Sequence, residues 1–136
     1  MLIYWLNCFS QYTIAGEDGP AVLLVHGFGA FGEHYRDNIH GLARAGNRVW
    51  AITLLGFGKS EKPNIVYTEL LWAELLRDFI VDVVGEPVHL VGNSIGGMIY
   101  KLKFGTAFYK INFFFTNMQQ LWLQRTIFSP TCSCFC

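Results

Sequence analysis

The chain has 136 residues, enough for one domain with a sizeable core, and 52% of them are hydrophobic whereas only 15% are charged. The formal net charge is zero, but the first 86 residues carry ten acidic and six basic side chains, while the last fifty carry four basic side chains and no acidic ones. Four cations over that length are too sparse for nucleic-acid binding. No apolar run reaches the roughly 18 residues of a transmembrane span. The N-terminus has the features of neither a signal peptide nor a transit peptide.

Strand and helix patterns alternate along the first half of the chain. Residues 11–15 predict a strand, which the turn-forming residues 16–20 close. Residues 21–25 are a continuous apolar run, typical of a strand that is covered on both faces of a parallel sheet. A helix is predicted over residues 33–45 and a second buried strand over residues 48–55.

The most regular helical pattern covers residues 71–84, where apolar side chains form one stripe and Gly85 marks the C-terminus. A short strand over residues 88–91 follows it. This alternation predicts an α/β fold with a mostly parallel sheet, flanking helices and right-handed crossovers. Beyond Gly97 the pattern weakens, and it predicts three further segments: a helix over residues 98–104, an aromatic strand over residues 108–115 and helical spacing over residues 117–127.

One short motif carries chemistry. The strand over residues 88–91 leads directly into Gly92-Asn93-Ser94-Ile95-Gly96, which fits the pattern G-x-S-x-G. In this pattern a tight strand-to-helix turn lifts a serine hydroxyl above the sheet and holds the serine in a sparsely populated backbone conformation. Glycines are required on both sides where strand and helix pass too closely for Cβ atoms. The motif therefore predicts Ser94 as a nucleophile.

Glycine-bearing loops follow each of the three buried strands, and the carboxyl ends of parallel strands meet at one edge of a sheet. The chain contains neither G-x-x-x-x-G-K-[ST] nor G-x-G-x-x-G, which argues against a nucleotide-phosphate site. In order, the three loops resemble the signatures of the α/β-hydrolase superfamily: His26-Gly27-Phe28-Gly29, Gly56-Phe57-Gly58-Lys59-Ser60 and Gly92-Asn93-Ser94-Ile95-Gly96-Gly97. The resemblance covers about residues 11–98 and is greatest to plant chloroplast members, including the pheophytinase-like group.

This resemblance implies a partial α/β-hydrolase fold and a serine hydrolase that acts on small-molecule carboxylic esters. Ser94 matches the nucleophile, and the backbone N–H groups of Phe28 and Ile95 match the oxyanion hole. Gly27 and Gly29 match the motif glycines of the loop that carries Phe28, as Gly92 and Gly96 match those around the nucleophile. His26 is usually a structural residue in this family. A chloroplast location is also implied by the resemblance.

The chain departs from the family at its catalytic triad. In the superfamily the order along the chain is Ser, then Asp or Glu, then His, but no Asp, Glu or His follows Ser94. A serine without an adjacent base is a weak nucleophile. His89 lies about 16 Å back along its strand at 3.3 Å per residue, too far to serve, so His26 is the one candidate stand-in base. A smaller departure is Thr53, where many relatives have Asp.

These features predict a chain in two parts. Residues 1–98 are expected to be the N-terminal half of an α/β-hydrolase domain, and residues 99–136 a divergent tail in which the C-terminal strands are missing or replaced. We expect a truncated or alternatively spliced, catalytically incomplete hydrolase; the alternatives are a non-catalytic fragment that binds a partner or a small ester, and no stable product at all.

The remaining expectations concern ligands and association. Cys132, Cys134 and Cys136 lack a fourth ligand for a tetrahedral site, so neither a metal nor another cofactor is expected. The strand over residues 88–91 becomes an exposed edge unless residues 108–115 pair with it, and an exposed apolar edge promotes aggregation. We therefore expect poor solubility or self-association.

Overall fold

A computed structural model describes residues 1–99 and the two-residue strand at residues 114 and 115. In that part of the chain the elements are β1 Leu2–Trp5, β2 Cys8–Ala15, β3 Ala21–Val25, α1 Arg36–Arg44, β4 Arg48–Ile52, α2 Glu69–Phe79, β5 His89–Gly92, α3 Ile95–Met98 and β6 Phe114–Phe115. The part of the predicted helix 98–104 that follows Ile99 lies outside the described residues, and so does the whole predicted helical segment 117–127. So do residues 108–113 of the predicted aromatic strand and the three C-terminal cysteines.

The six described strands form one mixed sheet in the order β1-β2-β4-β3-β5-β6. Its centre is parallel: β3 pairs with β4 on one side and with β5 on the other, so that Val25 lies between Ile52 and Gly92. β6 extends this parallel part, pairing with β5 at Val91 and Gly92, whereas β1 and β2 are antiparallel to their neighbours. The predicted α/β class is confirmed, as is a partial α/β-hydrolase arrangement of the sheet.

The antiparallel edge begins with a hairpin that the sequence patterns did not predict. β1 and β2 are joined by Leu6 and Asn7, whose φ angles of 47° and 60° form a tight turn of the kind that matches strand twist. Trp5 fixes the hairpin to the rest of the fold, because its indole Nε1–H donates to Asp78 Oδ2 of α2 at 2.7 Å. Because Cys8 pairs with Trp5 of β1, the second strand of the hairpin is longer than predicted and starts at Cys8 rather than at residue 11.

The predicted helix over residues 33–45 is divided in two. A 3₁₀ turn, Gly32–Tyr35, precedes α1, which spans Arg36–Arg44. The buried backbone N–H of Gly32 donates to Thr53 Oγ1 at 2.9 Å, which satisfies a donor at the start of this tighter turn. A long-range contact thus sets the beginning of the segment.

α2 starts two residues earlier than predicted and stops sooner. The Thr68 hydroxyl caps it by accepting the N–H of Leu71 at 3.1 Å. At its other end the chain widens into a π turn, Ile80–Val84, in which the Gly85 N–H donates to the Ile80 carbonyl at 2.8 Å. Gly85 has a φ of 74°, so the predicted glycine stop is present at the end of the π turn.

Both faces of the central strands are buried. On one face α2 contributes to a large cluster that includes Leu23, Val25 and Leu90, and on the other α1 and the 3₁₀ turn cover a smaller one that includes Val22 and Leu24. β3 alternates between the two clusters, and all five of its residues are buried. This explains why its sequence is an unbroken apolar run.

Candidate active site

Ser94 occupies the turn between β5 and α3. Its φ and ψ of 51° and −119° lie outside the regions that non-glycine residues normally adopt, and its side chain is exposed. Hydrogen bonds on both sides hold the turn: the N–H of Asn93 donates to the Val25 carbonyl at 3.1 Å, and the N–H of Met98 donates to the Ser94 carbonyl at 3.0 Å. This is the strained strand-to-helix geometry that the G-x-S-x-G motif predicts.

The glycines around Ser94 are required by close backbone contacts. A Cβ on Gly92 would lie 2.3 Å from the Gly96 carbonyl oxygen, and a Cβ on Gly96 would lie 2.4 Å from that of Val25 and 2.7 Å from that of His26. All three contacts are with main-chain atoms, which cannot rotate away. Any larger residue at either position would push α3 away from β3 or β5.

The loop after β3 lies against this turn. A Cβ built on Gly27 would be 3.2 Å from the Ser94 Cβ, so the two segments are in direct contact at the carboxyl edge of the sheet. The loop turns back through a hydrogen bond from the Ala30 N–H to the Gly27 carbonyl at 3.1 Å. Gly29 has a φ of 71° with no atom within 4 Å of its Cβ position, so this glycine serves backbone conformation rather than close packing.

The two backbone N–H groups that the resemblance assigns to the oxyanion hole lie in these two segments. Phe28 follows Gly27 in the loop. Ile95 is the first residue of α3, so its N–H has no acceptor within the helix. No acceptor within residues 1–99 takes a hydrogen bond from either N–H. The assignment of these two N–H groups to an oxyanion hole therefore stays a prediction.

His26 is a structural residue. Its Nδ1 is 2.7 Å from the Gly27 carbonyl and its Nε2 is 3.0 Å from the Leu54 N, so a ring that is protonated on Nδ1 donates to the first and accepts from the second. Burial lowers the pKa of His26, which keeps the ring neutral as this arrangement requires. With its acceptor nitrogen already in use, His26 is not positioned to take a proton from Ser94.

The other histidines also leave Ser94 without a base. His34 and His40 are exposed, on the 3₁₀ turn and on α1. His89 begins β5 and therefore lies at the opposite end of that strand from Ser94. No group of three possible metal ligands is present among the described residues, and none of their helices is long and apolar enough to cross a membrane.

The Val25 carbonyl joins the segments around the site. It accepts the Asn93 N–H and, at 3.0 Å, the hydroxyl of Tyr35 from the 3₁₀ turn. Burial raises the pKa of Tyr35 to about 12, so its hydroxyl remains a donor at any physiological pH. This role could not be predicted from the sequence, because Tyr35 is indistinguishable there from the other residues on the buried face of a helix.

A second polar cluster supports the loop after β4. Thr53, the position at which many relatives have Asp, is buried. Its hydroxyl accepts the Gly32 N–H at 2.9 Å, and its carbonyl accepts the Ser60 Oγ–H at 2.7 Å. Ser60 Oγ in turn accepts the Gln11 N–H at 2.9 Å. Threonine is therefore well suited to this position, since its hydroxyl meets a buried backbone donor.

Aromatic rings connect the loop after β3 with the loop after β4. Phe28 packs edge-to-face on Phe57 with ring centroids 5.5 Å apart, and Phe57 packs in the same way on His26 at 5.3 Å. Phe57 also contacts Trp72 of α2 at 5.8 Å, and Trp72 stacks on Tyr67 at 6.1 Å. A continuous aromatic cluster thus extends from the α2 layer to the loop at the sheet edge.

Comparison with known proteins is consistent with this geometry. A family model described as "Alpha/beta hydrolase family" matches residues 22–108, which include all three glycine loops. Among solved structures, an epoxide hydrolase from Vigna radiata superposes with a TM-score of 0.69 and 26% identity, over 74% of this chain and 33% of that one.

Similar sequences include one plant and one bacterial enzyme. The chain is 32% identical over 113 residues to the chloroplastic pheophytinase of Arabidopsis thaliana, a match that covers 60% of this chain and 23% of the relative. It is 44% identical over 92 residues to the 2-hydroxy-6-oxo-6-(2'-aminophenyl)hexa-2,4-dienoic acid hydrolase of Metapseudomonas resinovorans, with 65% and 31% covered. The matches span about a quarter to a third of the length of these relatives.

Proposed function

Because the chain belongs to the alpha/beta hydrolase family, we propose that it carries the nucleophile and the oxyanion-binding part of a serine hydrolase acting on carboxylic esters. The observation that carries this proposal is the conformation of Ser94. Its positive φ of 51° is a backbone strain that its surroundings maintain, and it exposes the hydroxyl at the edge where the loops converge. The similarity to the chloroplastic pheophytinase extends the proposal to a chloroplast location, which the distribution of a fluorescent fusion in plant cells tests.

In the proposed reaction, Ser94 Oγ attacks the ester carbonyl carbon and the hydroxyl proton passes to a base. The carbonyl oxygen becomes negatively charged and accepts hydrogen bonds from the N–H groups of Phe28 and Ile95. A donor placed where charge develops in the transition state contributes about 2.7–4 kcal/mol in reactions of this type. The ester C–O bond then breaks, the departing oxygen takes the proton from the base to leave as the alcohol, and an acyl-Ser94 ester remains for water to hydrolyse.

We infer that the general base is the component that this chain lacks. No Asp, Glu or His follows Ser94 in the sequence, and both ring nitrogens of His26 are engaged within the protein. General-base catalysis contributes about 10²–10⁴-fold to such reactions. We therefore expect that the chain alone hydrolyses esters at close to the rate of buffer.

An added base tests both parts of the proposal. The release of p-nitrophenol from p-nitrophenyl acetate should be near the buffer rate for the chain alone. 2-Methylimidazole, which is too hindered to be a good nucleophile, should accept the proton of Ser94 and accelerate release about tenfold or more over the same concentration of base without protein. Ser94→Ala, the matched control, should show no such acceleration.

The possible outcomes separate the assignments. Equal rates for the wild type and Ser94→Ala in the presence of 2-methylimidazole would rule out Ser94 as the nucleophile. Rapid turnover without added base, lost in Ser94→Ala, would show that the chain contains its own base; if His26→Ala abolished it with the fold intact, that base would be His26.

The alternative is a fragment that binds a small ester without turning it over. The N–H groups of Phe28 and Ile95 favour it: they have no acceptor among residues 1–99, and they could hold a carbonyl oxygen whether or not Ser94 reacts. Saturable binding of an ester that is equal in the wild type and Ser94→Ala, with no acceleration by 2-methylimidazole, is the result that this alternative predicts.

A further inference from the structure

Phe28 exposes an apolar ring beside the proposed site of reaction. The residue is 77% exposed although it belongs to a loop whose neighbours, His26 and Gly27, are buried. Gly27, the residue before it, contacts Ser94. An exposed ring at such a position becomes apolar contact area for any group that the site holds.

The ring is also held in place. Phe57, half-buried, supports Phe28 at an interplanar angle of 82°, and it is itself fixed between His26 and Trp72. The Trp72 indole is anchored in turn, because its Nε1–H donates to the Leu55 carbonyl at 3.0 Å. A preorganised side chain loses little conformational freedom when a ligand packs on it, so the contact strengthens binding.

The aromatic cluster contains no charged side chain. Lys59, in the same loop as Phe57, lies 3.8 Å from Glu33, so the two charges largely offset each other. An aromatic group that packed against these rings would form the edge-to-face and offset contacts that ring pairs prefer. A methyl group has too little area to form them.

We propose that the Phe28–Phe57 pair is the subsite for the group attached to the scissile carbonyl, and that it selects esters with an aromatic acyl group over those with a small one. This rests on the proposed function, in which the N–H of Phe28 binds the carbonyl oxygen. Gly27, which precedes Phe28, contacts Ser94, so in this proposal the substituent on the carbonyl carbon reaches the exposed Phe28 ring when the oxygen is bound.

Two sulfonyl fluorides that differ only in the group on sulfur test the subsite. Phenylmethanesulfonyl fluoride carries a benzyl group and methanesulfonyl fluoride carries a methyl group. Ser94 Oγ forms a bond to sulfur, the S–F bond breaks, fluoride leaves and the hydroxyl proton passes to the 2-methylimidazole buffer. Intact-mass and peptide analysis give the rate of Ser94 modification, and each rate is divided by the rate at which the same buffer hydrolyses the reagent.

The corrected benzyl-to-methyl ratio should be about ten or more for the wild type, the effect expected when apolar area of aromatic size is removed from water. It should fall to about two or less in Phe28→Ala and to an intermediate value in Phe28→Leu. Phe31→Ala, which removes another exposed phenylalanine of the same loop, should keep the wild-type ratio. Far-UV circular dichroism checks that each variant is folded.

Each failure has its own signature. If neither reagent modifies Ser94, the proposed function fails and the subsite fails with it. If both reagents modify Ser94 with a corrected ratio near one in the wild type, or if Phe28→Ala keeps the wild-type ratio, the subsite alone is overturned and the nucleophile stands.

Discussion

The contact between α3 and β3 leads to a specific prediction about stability. In Gly96→Ala, the new Cβ would lie 2.4 Å from the Val25 carbonyl oxygen and 2.7 Å from that of His26, up to about 1 Å inside ordinary contact. Overpacking of this kind costs about 1–3 kcal/mol, and we expect the upper end because both atoms belong to the main chain. The alanine recovers about 0.5–1 kcal/mol of backbone entropy within a helix. The net loss of unfolding free energy is therefore about 2 kcal/mol.

Gly41→Ala is the matched control for this substitution. Gly41 also lies in a helix, but no atom lies within 4 Å of its Cβ position, so the same change should stabilise the protein by about 0.5–1 kcal/mol. Urea denaturation followed by far-UV circular dichroism measures both free energies. A Gly96→Ala variant as stable as the wild type, alongside a stabilised Gly41→Ala, would show that α3 is not packed on β3 as described.

Two further predictions concern acid and association. Burial holds the pKa of His26 in the folded protein below its ordinary value of 6.5. As the pH falls, His26 is therefore protonated in the unfolded chain before it is protonated in the folded one. The stability that neutral His26 contributes is present above pH 6.5 and is lost as the pH falls below that value. Urea denaturation from pH 7 to pH 5 should therefore show a weaker acid dependence in His26→Gln than in the wild type, and an unchanged dependence contradicts this assignment. Because the described pairing of β6 with β5 covers two residues, we also expect the untagged chain to elute from size-exclusion chromatography as an associated species. A monomeric peak with a cooperative thermal transition would contradict that expectation.

The parallel centre of the sheet could be predicted because its signals are local. An unbroken apolar run gave β3 with its observed bounds, and β5 differs from its prediction by one residue at each end. The glycines around Ser94 were likewise readable, since a backbone contact that excludes Cβ atoms leaves a trace in the sequence at a fixed spacing.

What the sequence did not reveal depends on distant residues. β1 is only four residues long and pairs through a turn that contains Leu6, a residue type that rarely adopts a positive φ, so no turn signal marked it. The 3₁₀ start of the segment before α1 depends on the Thr53 hydroxyl, 21 residues away from its donor. The support of Phe28 by Phe57 likewise joins two loops that are far apart in the sequence.

The hydrogen bonds at the Val25 carbonyl have a consequence for how such a site tolerates change over evolution. The carbonyl aligns β5 with β3 by accepting the Asn93 N–H, and both groups are main-chain atoms that every residue other than proline provides. Substitutions at position 93, which is partly buried, can therefore alter the size and polarity of the side chain while leaving the alignment of the two strands intact. The position of the serine is inherited through the backbone, and the side chains around it are free to diversify toward different substrates.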